Sequence, residues 1–354
     1  MKKIFYCLLV LLIFISSASC STCKLYAESF SQTTIYDQDG TYITTKQGVE
    51  IGDNFITAKG LYEIVEFSET DGSAKALKIE EIDLPEVIKN NVSNISTNAQ
   101  NKTIGLYSTH NDESYINGDG VDSLYGQGGV IDVANKLKEE LEKLGTPVVF
   151  DDTLHLPHDT SAYSRSKETA QELLNSNATA IFDIHRDAGS RNSYIKNVNG
   201  KEVCQVRMVV GKANPNYEKN LEFALYLFDV AKTISPNLFL DIYMAKGHYN
   251  QELTSKAILF EFGTEQVEKD LVLSSTKELA KVINTTLFKT SVEEDGTLSI
   301  GSLDKSNSIN VMLASPVKQS TNETNSMIIF TLVSLASIVC YVVYLSRSKI
   351  YHSL

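Results

Sequence analysis

The chain reads as an α/β protein, a mainly parallel sheet flanked by helices and preceded by a small β module. Three observations predict this. Apolar runs at Thr103–Thr109, Ala180–Ile184 and Ala257–Phe260 each lead to one polar residue, His110, His185 and Glu261. Stretches with helical periodicity separate these runs, and the N-terminal part is rich in Thr, Tyr, Ile and Val punctuated by Gly. Parallel strands need a crossover, usually a helix, so strand–helix alternation implies a parallel sheet.

The elements follow in order. Residues 28–84 form the β module: Thr33–Tyr36, the Asp39-Gly40 turn and Thr41–Thr44 read as a hairpin, and Leu61–Phe67 alternates as a half-buried strand. It carries no evident catalytic set, which predicts a spacer or docking role. Residues 85–102, rich in Asn, Ser and Thr, read as a linker. A catalytic domain then spans 103–288. After the first strand comes a loop with His110 and Glu113, then a helix from Gly129 to Leu144 whose Val133, Leu137, Leu141 and Leu144 share one face, stopped by Gly145. Pro147–Phe150 returns as a strand, Ser161 to Leu174 as a helix, and the His185 strand follows. Val206–Val210 adds a strand and Glu218–Ile234 a helix, and the Glu261 strand precedes a last helix from Glu265 to Leu287.

The ends predict location. Lys2 and Lys3, an apolar run from Ile4 to Ile15 and the small residues 16–19 read as a secretory signal within residues 1–27, with cleavage or retention left open. Residues 289–326 read as a flexible stalk. The uncharged apolar stretch 327–345 is long enough, at ~1.5 Å per residue, to cross a core of ~30 Å. Arg347 and Lys349 place the tail 346–354 in the cytoplasm, so the catalytic domain is expected outside the cell membrane on a single C-terminal anchor. Of five cysteines, Cys7 and Cys340 lie in apolar segments and Cys20 and Cys23 at the processing site, which leaves Cys204 in the body and implies no disulfide framework. A net charge of -12 without a basic cluster argues against nucleic acid as a partner.

The polar residues at the strand ends suggest a zinc hydrolase. Zinc takes imidazole nitrogen and carboxylate oxygen, and a catalytic site keeps three protein ligands and an open position for water. His110, Glu113 and His185 would fill the ligand places. Glu261, between Phe260 and Phe262, would be the proton carrier, since a carboxylate inside an aromatic strand is costly unless a cation pairs with it. Pro157 breaks the His155-Leu-Pro-His158 run, so that pair does not share a helical face. Arg186 and Asn250 are candidates for binding substrate carboxylate or amide groups.

These segments together resemble a known family. Thr109-His110-Asn-Asp-Glu113-Ser-Tyr115, His155-Leu-Pro-His158-Asp159, Phe182-Asp-Ile-His185-Arg-Asp187, Val209-Val-Gly211, Tyr249-Asn-Gln251 and Leu259-Phe-Glu261-Phe-Gly263 occur in the order seen in the stage II sporulation protein P family. The resemblance implies a zinc amidase fold akin to zinc carboxypeptidases, and a peptidoglycan amidase with cross-link endopeptidase activity at the sporulation septum. It also implies a septal lytic transglycosylase and a membrane scaffold as partners. General zinc amidases take their middle ligand from a Glu well after the first His, but Asp122 to Asp132 contains no Glu. Glu113 is therefore expected there, with Asp122 and Asp132 as alternatives. A carboxypeptidase would use the same metal set and need a cation for the terminal carboxylate, and a non-catalytic wall-binding module is the other rival.

Overall fold

The computed structural model describes residues 32–81 and 103–288, apart from 69 and 199. The expected signal, linker, stalk, membrane span and tail lie outside the described residues, and among the described ones no helix is long and apolar enough to cross a membrane.

The strands are β1 (Thr33–Tyr36), β2 (Tyr42–Lys46), β3 (Asn54–Thr57), β4 (Gly60–Ser68), β5 (Ser73–Glu80), β6 (Ile104–Tyr107), β7 (Val148–Phe150), β8 (Ala180–Asp187), β9 (Ile195–Val198), β10 (Lys201–Cys204), β11 (Val206–Gly211), β12 (Phe239–Ala245) and β13 (Ala257–Thr264). The helices are α1 (Gly129–Lys143), α2 (Ala162–Asn175), α3 (Tyr217–Ile234) and α4 (Lys269–Phe288), with a single helical turn at Ile116–Asp119. One sheet has the order β2-β1-β5-β4-β3-β12-β11-β13-β8-β6-β7. From β7 to β12 the neighbours run parallel except where β11 meets β13. The parallel sheet expected from strand–helix alternation is therefore present.

The β module is no detached body. Its β3 pairs antiparallel with β12, Phe55 opposite Tyr243, so the N-terminal strands continue the same sheet. The sequence reading passes over β12 because Asp241 interrupts its apolar run. Asp241 is fully buried, and its carboxylate accepts Arg207 Nε at 2.7 Å and Thr44 Oγ1 at 2.6 Å. Arg207, also fully buried, further donates to Asp187 Oδ2 at 2.6 Å and to the Thr45 carbonyl at 2.7 Å. Two acids and two partners on β2 thus satisfy one buried guanidinium, and removing one partner of such a set typically costs ~3–5 kcal/mol. The last helix begins at Lys269, four residues after the expected Glu265, because residues 265–268 form the turn that leads off β13.

Alternation along β8 divides its side chains between two faces. Ile181 packs with Ala170 and Leu173 of α2. Phe182 turns the other way and stacks on Phe223 of α3, ring centroids 6.3 Å apart. Asp183, His185 and Asp187 share the face of Ile181, and Glu261 stands beside His185 in register. A core cluster of Ile35, Phe55 and Ile64 from the N-terminal strands with Val209, Tyr243 and Leu259 lies beside this row.

Candidate metal centre

His110 and Glu113 sit in the loop after β6, and the start of α1 shapes that loop. The amides of Gly128 and Val130 bond the carbonyls of Asn111 (2.7 Å) and Glu113 (3.1 Å), and Gly129 N donates to Ser114 Oγ at 2.9 Å. A Cβ at Gly128 would collide with the Glu113 carbonyl, so glycine is required for this close approach. Helix amides that would otherwise lack partners thus hold the loop in place.

Within the loop, Glu113 bridges the two histidines. Its Oε1 lies 3.3 Å from His110 Nδ1 and its Oε2 3.4 Å from His185 Nδ1. One ligand atom from each of the three residues lies within 4.8 Å of the others. Neighbouring donors in a tetrahedron around zinc, at bond lengths of ~2.0–2.2 Å, stand roughly 3.3–3.5 Å apart. The donor set fits zinc, and the two separations between Glu113 and the histidines match that spacing. A buried His110 Nε2 and a buried Glu261 Oε2 have no hydrogen-bond partner among the described residues, the latter a carboxylate oxygen facing the same space.

Further contacts orient the three donors. Asp183 Oδ1 lies 2.9 Å from His185 Nε2, an ion-pair contact rather than an aligned hydrogen bond, and Asp183 also accepts the Thr109 amide at 2.8 Å and hydroxyl at 2.6 Å. A carboxylate behind a ligating imidazole fixes its ring and favours Nδ1 as the free donor. The Arg186 amide donates to Glu113 Oε2 at 2.9 Å.

The electrostatics follow from burial and these neighbours. Burial alone would raise the Glu113 carboxyl, but His185 and His110 hold it well below the usual carboxylate range. Burial would lower His185, yet Asp183 and Glu113 push it well above the usual imidazole range. Glu261 moves the other way. Burial, reinforced by the charge of Asp187, lifts it to about 7 against the opposing pull of Lys46 and His185.

All three expected ligands and Glu261 line one cleft of about 470 Å³. Asp122 and Asp132, the alternatives to Glu113, lie away from it. The Asp122 carbonyl accepts Arg186 Nη2 at 2.8 Å, and the Asp132 carboxylate pairs with Lys269. Arg186 borders the cleft, but its guanidinium is engaged with the carbonyls of Ser114, Asp122 and Asp187. Asn250 is buried outside the lining, its amide donating to the Tyr163 carbonyl at 2.9 Å and to Ser166 Oγ at 3.0 Å, so it supports the Tyr163 wall. His155 has both ring nitrogens bonded, to the Ser108 carbonyl and Thr169 Oγ1.

The sequence reading missed several lining residues. His158 stacks on His110 at 3.9 Å between ring centroids and contacts Asp112 Oδ1 at 2.9 Å. Tyr163 and Tyr249 meet edge to face at 5.2 Å. Lys46, Gln47 and Gly48 come from the β module, which is thus part of the cleft wall rather than a spacer. Alternation could have shown Asp183 and Asp187 beside His185. Nothing local marks Lys46.

The chain matches the family Stage II sporulation protein P (SpoIIP) over residues 32–284. It is 28% identical over 186 residues to the Stage II sporulation protein P of Bacillus subtilis (strain 168), an alignment covering 47% of this chain and 46% of that protein. The chain thus spans about half the length of the curated relative it matches. Among solved structures, the CwlD amidase from Clostridioides difficile, in complex with the GerS lipoprotein, is 20% identical, covering 52% of this chain and 96% of that one with a TM-score of 0.36. The N-acetylmuramyl-L-alanine amidase Ami1 from Mycobacterium smegmatis is 15% identical, covering 55% and 96% with a TM-score of 0.36. With the family matched across both the N-terminal strands and the cleft, the chain belongs to the stage II sporulation protein P family.

Proposed function

We propose that this protein is a zinc-dependent peptidoglycan hydrolase, an N-acetylmuramoyl-L-alanine amidase that also cuts peptide cross-links, and that it thins the septal wall during sporulation and engulfment. The observation that carries this reading is the convergence of His110, Glu113 and His185 donors within 4.8 Å of one another, with the unpartnered Glu261 carboxylate in the same cleft. Family membership and the B. subtilis relative support the sporulation setting.

Zinc held by these three side chains would leave one position for water and bring that water's pKa towards about 7. The remaining chemistry belongs to the protein. Glu261, whose unpartnered Oε2 faces the same cleft, would take the proton of the attacking water and deliver it to the departing amide nitrogen. Asp183 holds the His185 ring, and the Arg186 amide holds Glu113, so the donors need little reorganisation. Both target bonds are amides, so one cleft can serve both. The Arg186 guanidinium is engaged with carbonyls, so the residue that a carboxypeptidase would use for the terminal carboxylate is not free to hold it.

Mass spectrometry of digested peptidoglycan tests the reaction. The expected products are stem peptides with a new L-alanine amino terminus, monomeric stems from cross-linked dimers, and uncut glycan strands. Release of single C-terminal residues alone would show a carboxypeptidase, and no zinc-dependent product would leave a binding module. Such an enzyme must work outside the cytoplasm, and the proposed placement is an outer-face domain on a C-terminal anchor, beside a septal lytic transglycosylase and a membrane scaffold. Protease added to intact protoplasts should degrade the domain and spare a tag at Leu354. Survival of the domain with loss of the tag would reverse the topology.

A further inference from the structure

Lys46 is the one ammonium lining the cleft among the described residues, and it comes from β2 of the N-terminal strands. Its Nζ lies 2.6 Å from Asp187 Oδ1, and its side chain is 14% exposed. Asp187 is itself fixed: its Oδ2 accepts Arg207 at 2.6 Å and the Tyr194 hydroxyl at 2.8 Å, and its Oδ1 accepts the Ala188 amide at 2.9 Å. The Tyr243 ring lies 5.8 Å from the ammonium on another side. A long, flexible side chain is thus held in one place at the cleft wall. An ammonium has three donors, and the described hydrogen bonds use one. The formal charges of Lys46, Arg207, Asp187 and Asp241 cancel, so an incoming anion meets no net negative field from this group.

Position selects the ligand. Asp187 lies two residues beyond His185 on the same face of β8, so at a strand rise of ~3.3 Å per residue the backbone position that anchors Lys46 stands roughly 6.6 Å along the strand from that of His185. In a stem peptide bound by its lactyl–L-alanine amide, the second residue begins about two extended units from the attacked carbonyl, at ~3.3–3.6 Å each. Its α-carboxylate therefore falls at roughly that distance. A terminal carboxylate on the departing residue itself would fall at only about half of it.

We infer that Lys46 binds the free α-carboxylate of the second stem residue, making the N-terminal strands a substrate-reading part of the cleft. This inference rests on the amidase reading above for the peptide's orientation. The ligand class is an acidic stem, and stems carrying a carboxamide at that position are disfavoured.

The test is calorimetric binding of two soluble probes, N-acetylmuramoyl-L-alanyl-D-glutamate and N-acetylmuramoyl-L-alanyl-D-isoglutamine, which differ only at that α-carboxylate. The zinc-loaded full chain carrying Glu261→Gln, which suppresses turnover, is titrated with and without Lys46→Met or Lys46→Arg. A hydrogen bond between charged groups predicts that the acid binds about ten- to a hundredfold tighter than the amide. Lys46→Met should erase that ratio and Lys46→Arg should restore most of it. Equal affinity for the two probes in the Lys46 protein would overturn the inference without any Lys46 variant. A Lys46→Met protein that keeps its melting temperature but weakens both probes equally would also overturn it, since the lysine would then only shape the cleft. Discrimination between the probes, with no release from peptidoglycan by the zinc-loaded chain that keeps Glu261, would refute the hydrolase reading and leave carboxylate binding by Lys46 standing.

Discussion

Replacing His110 or His185 with alanine is expected to abolish zinc binding and wall digestion together. Each histidine places Nδ1 within 3.4 Å of a Glu113 oxygen, and a two-ligand remnant cannot hold a catalytic zinc in the geometry its chemistry needs. Zinc content after dialysis and dye release from labelled peptidoglycan should fall to background in both variants, with the circular dichroism spectrum retained. Uptake should also weaken as pH falls, because the imidazoles must be neutral to bind metal and the neighbouring acids favour the protonated form of His185. Normal digestion by the double variant would refute the metal assignment.

Glu261→Gln should leave zinc in place and cost about a hundred- to ten-thousandfold in turnover, the usual range for losing a positioned acid–base group. The same substitution has a readout that needs no substrate. The folded carboxyl titrates near 7, above its ordinary 4.5, so its contribution to stability is full below about 4.5 and is lost as pH rises through 7. At 1.36 kcal/mol per pH unit, that gap of about 2.5 units is roughly 3 kcal/mol. The metal-free Gln variant should accordingly exceed its Glu parent in stability by about that amount at pH 8 and match it at pH 4. Denaturant unfolding at the two pH values measures this. Equal stability at both would mean that Glu261 is solvated, and full activity would place the proton carrier elsewhere.

The parts of the site that could be read from sequence are those fixed by local pattern. His185 and Glu261 each follow an apolar run within β8 and β13, and His110 and Glu113 share one loop, so periodicity and residue chemistry were enough to find them. Asn250 and Arg186 have the right chemistry for binding, but their partners spend it on carbonyls and a hydroxyl, which only packing reveals. Strand β12 was hidden because Asp241 breaks its apolar run, and what makes a buried Asp tolerable there is Arg207, 34 positions away. Lys46 was hidden by distance, since Asp187 lies 141 positions further along the chain. Pairings of that range leave no periodic trace.

That range also governs when activity can arise. Thr44 reaches Asp241 across 197 positions and Arg207 across 163, and the row from β8 to β13 is complete only when Glu261 has been made. Contacts so distant in sequence are entropically expensive to close. A chain emerging amino end first therefore holds its two histidines and Glu113 well before it has a proton carrier, and the cleft wall closes only when the earliest strands find the latest ones. A cleft with this lining therefore exists only once the strands that carry Lys46 and Glu261 both stand in the sheet.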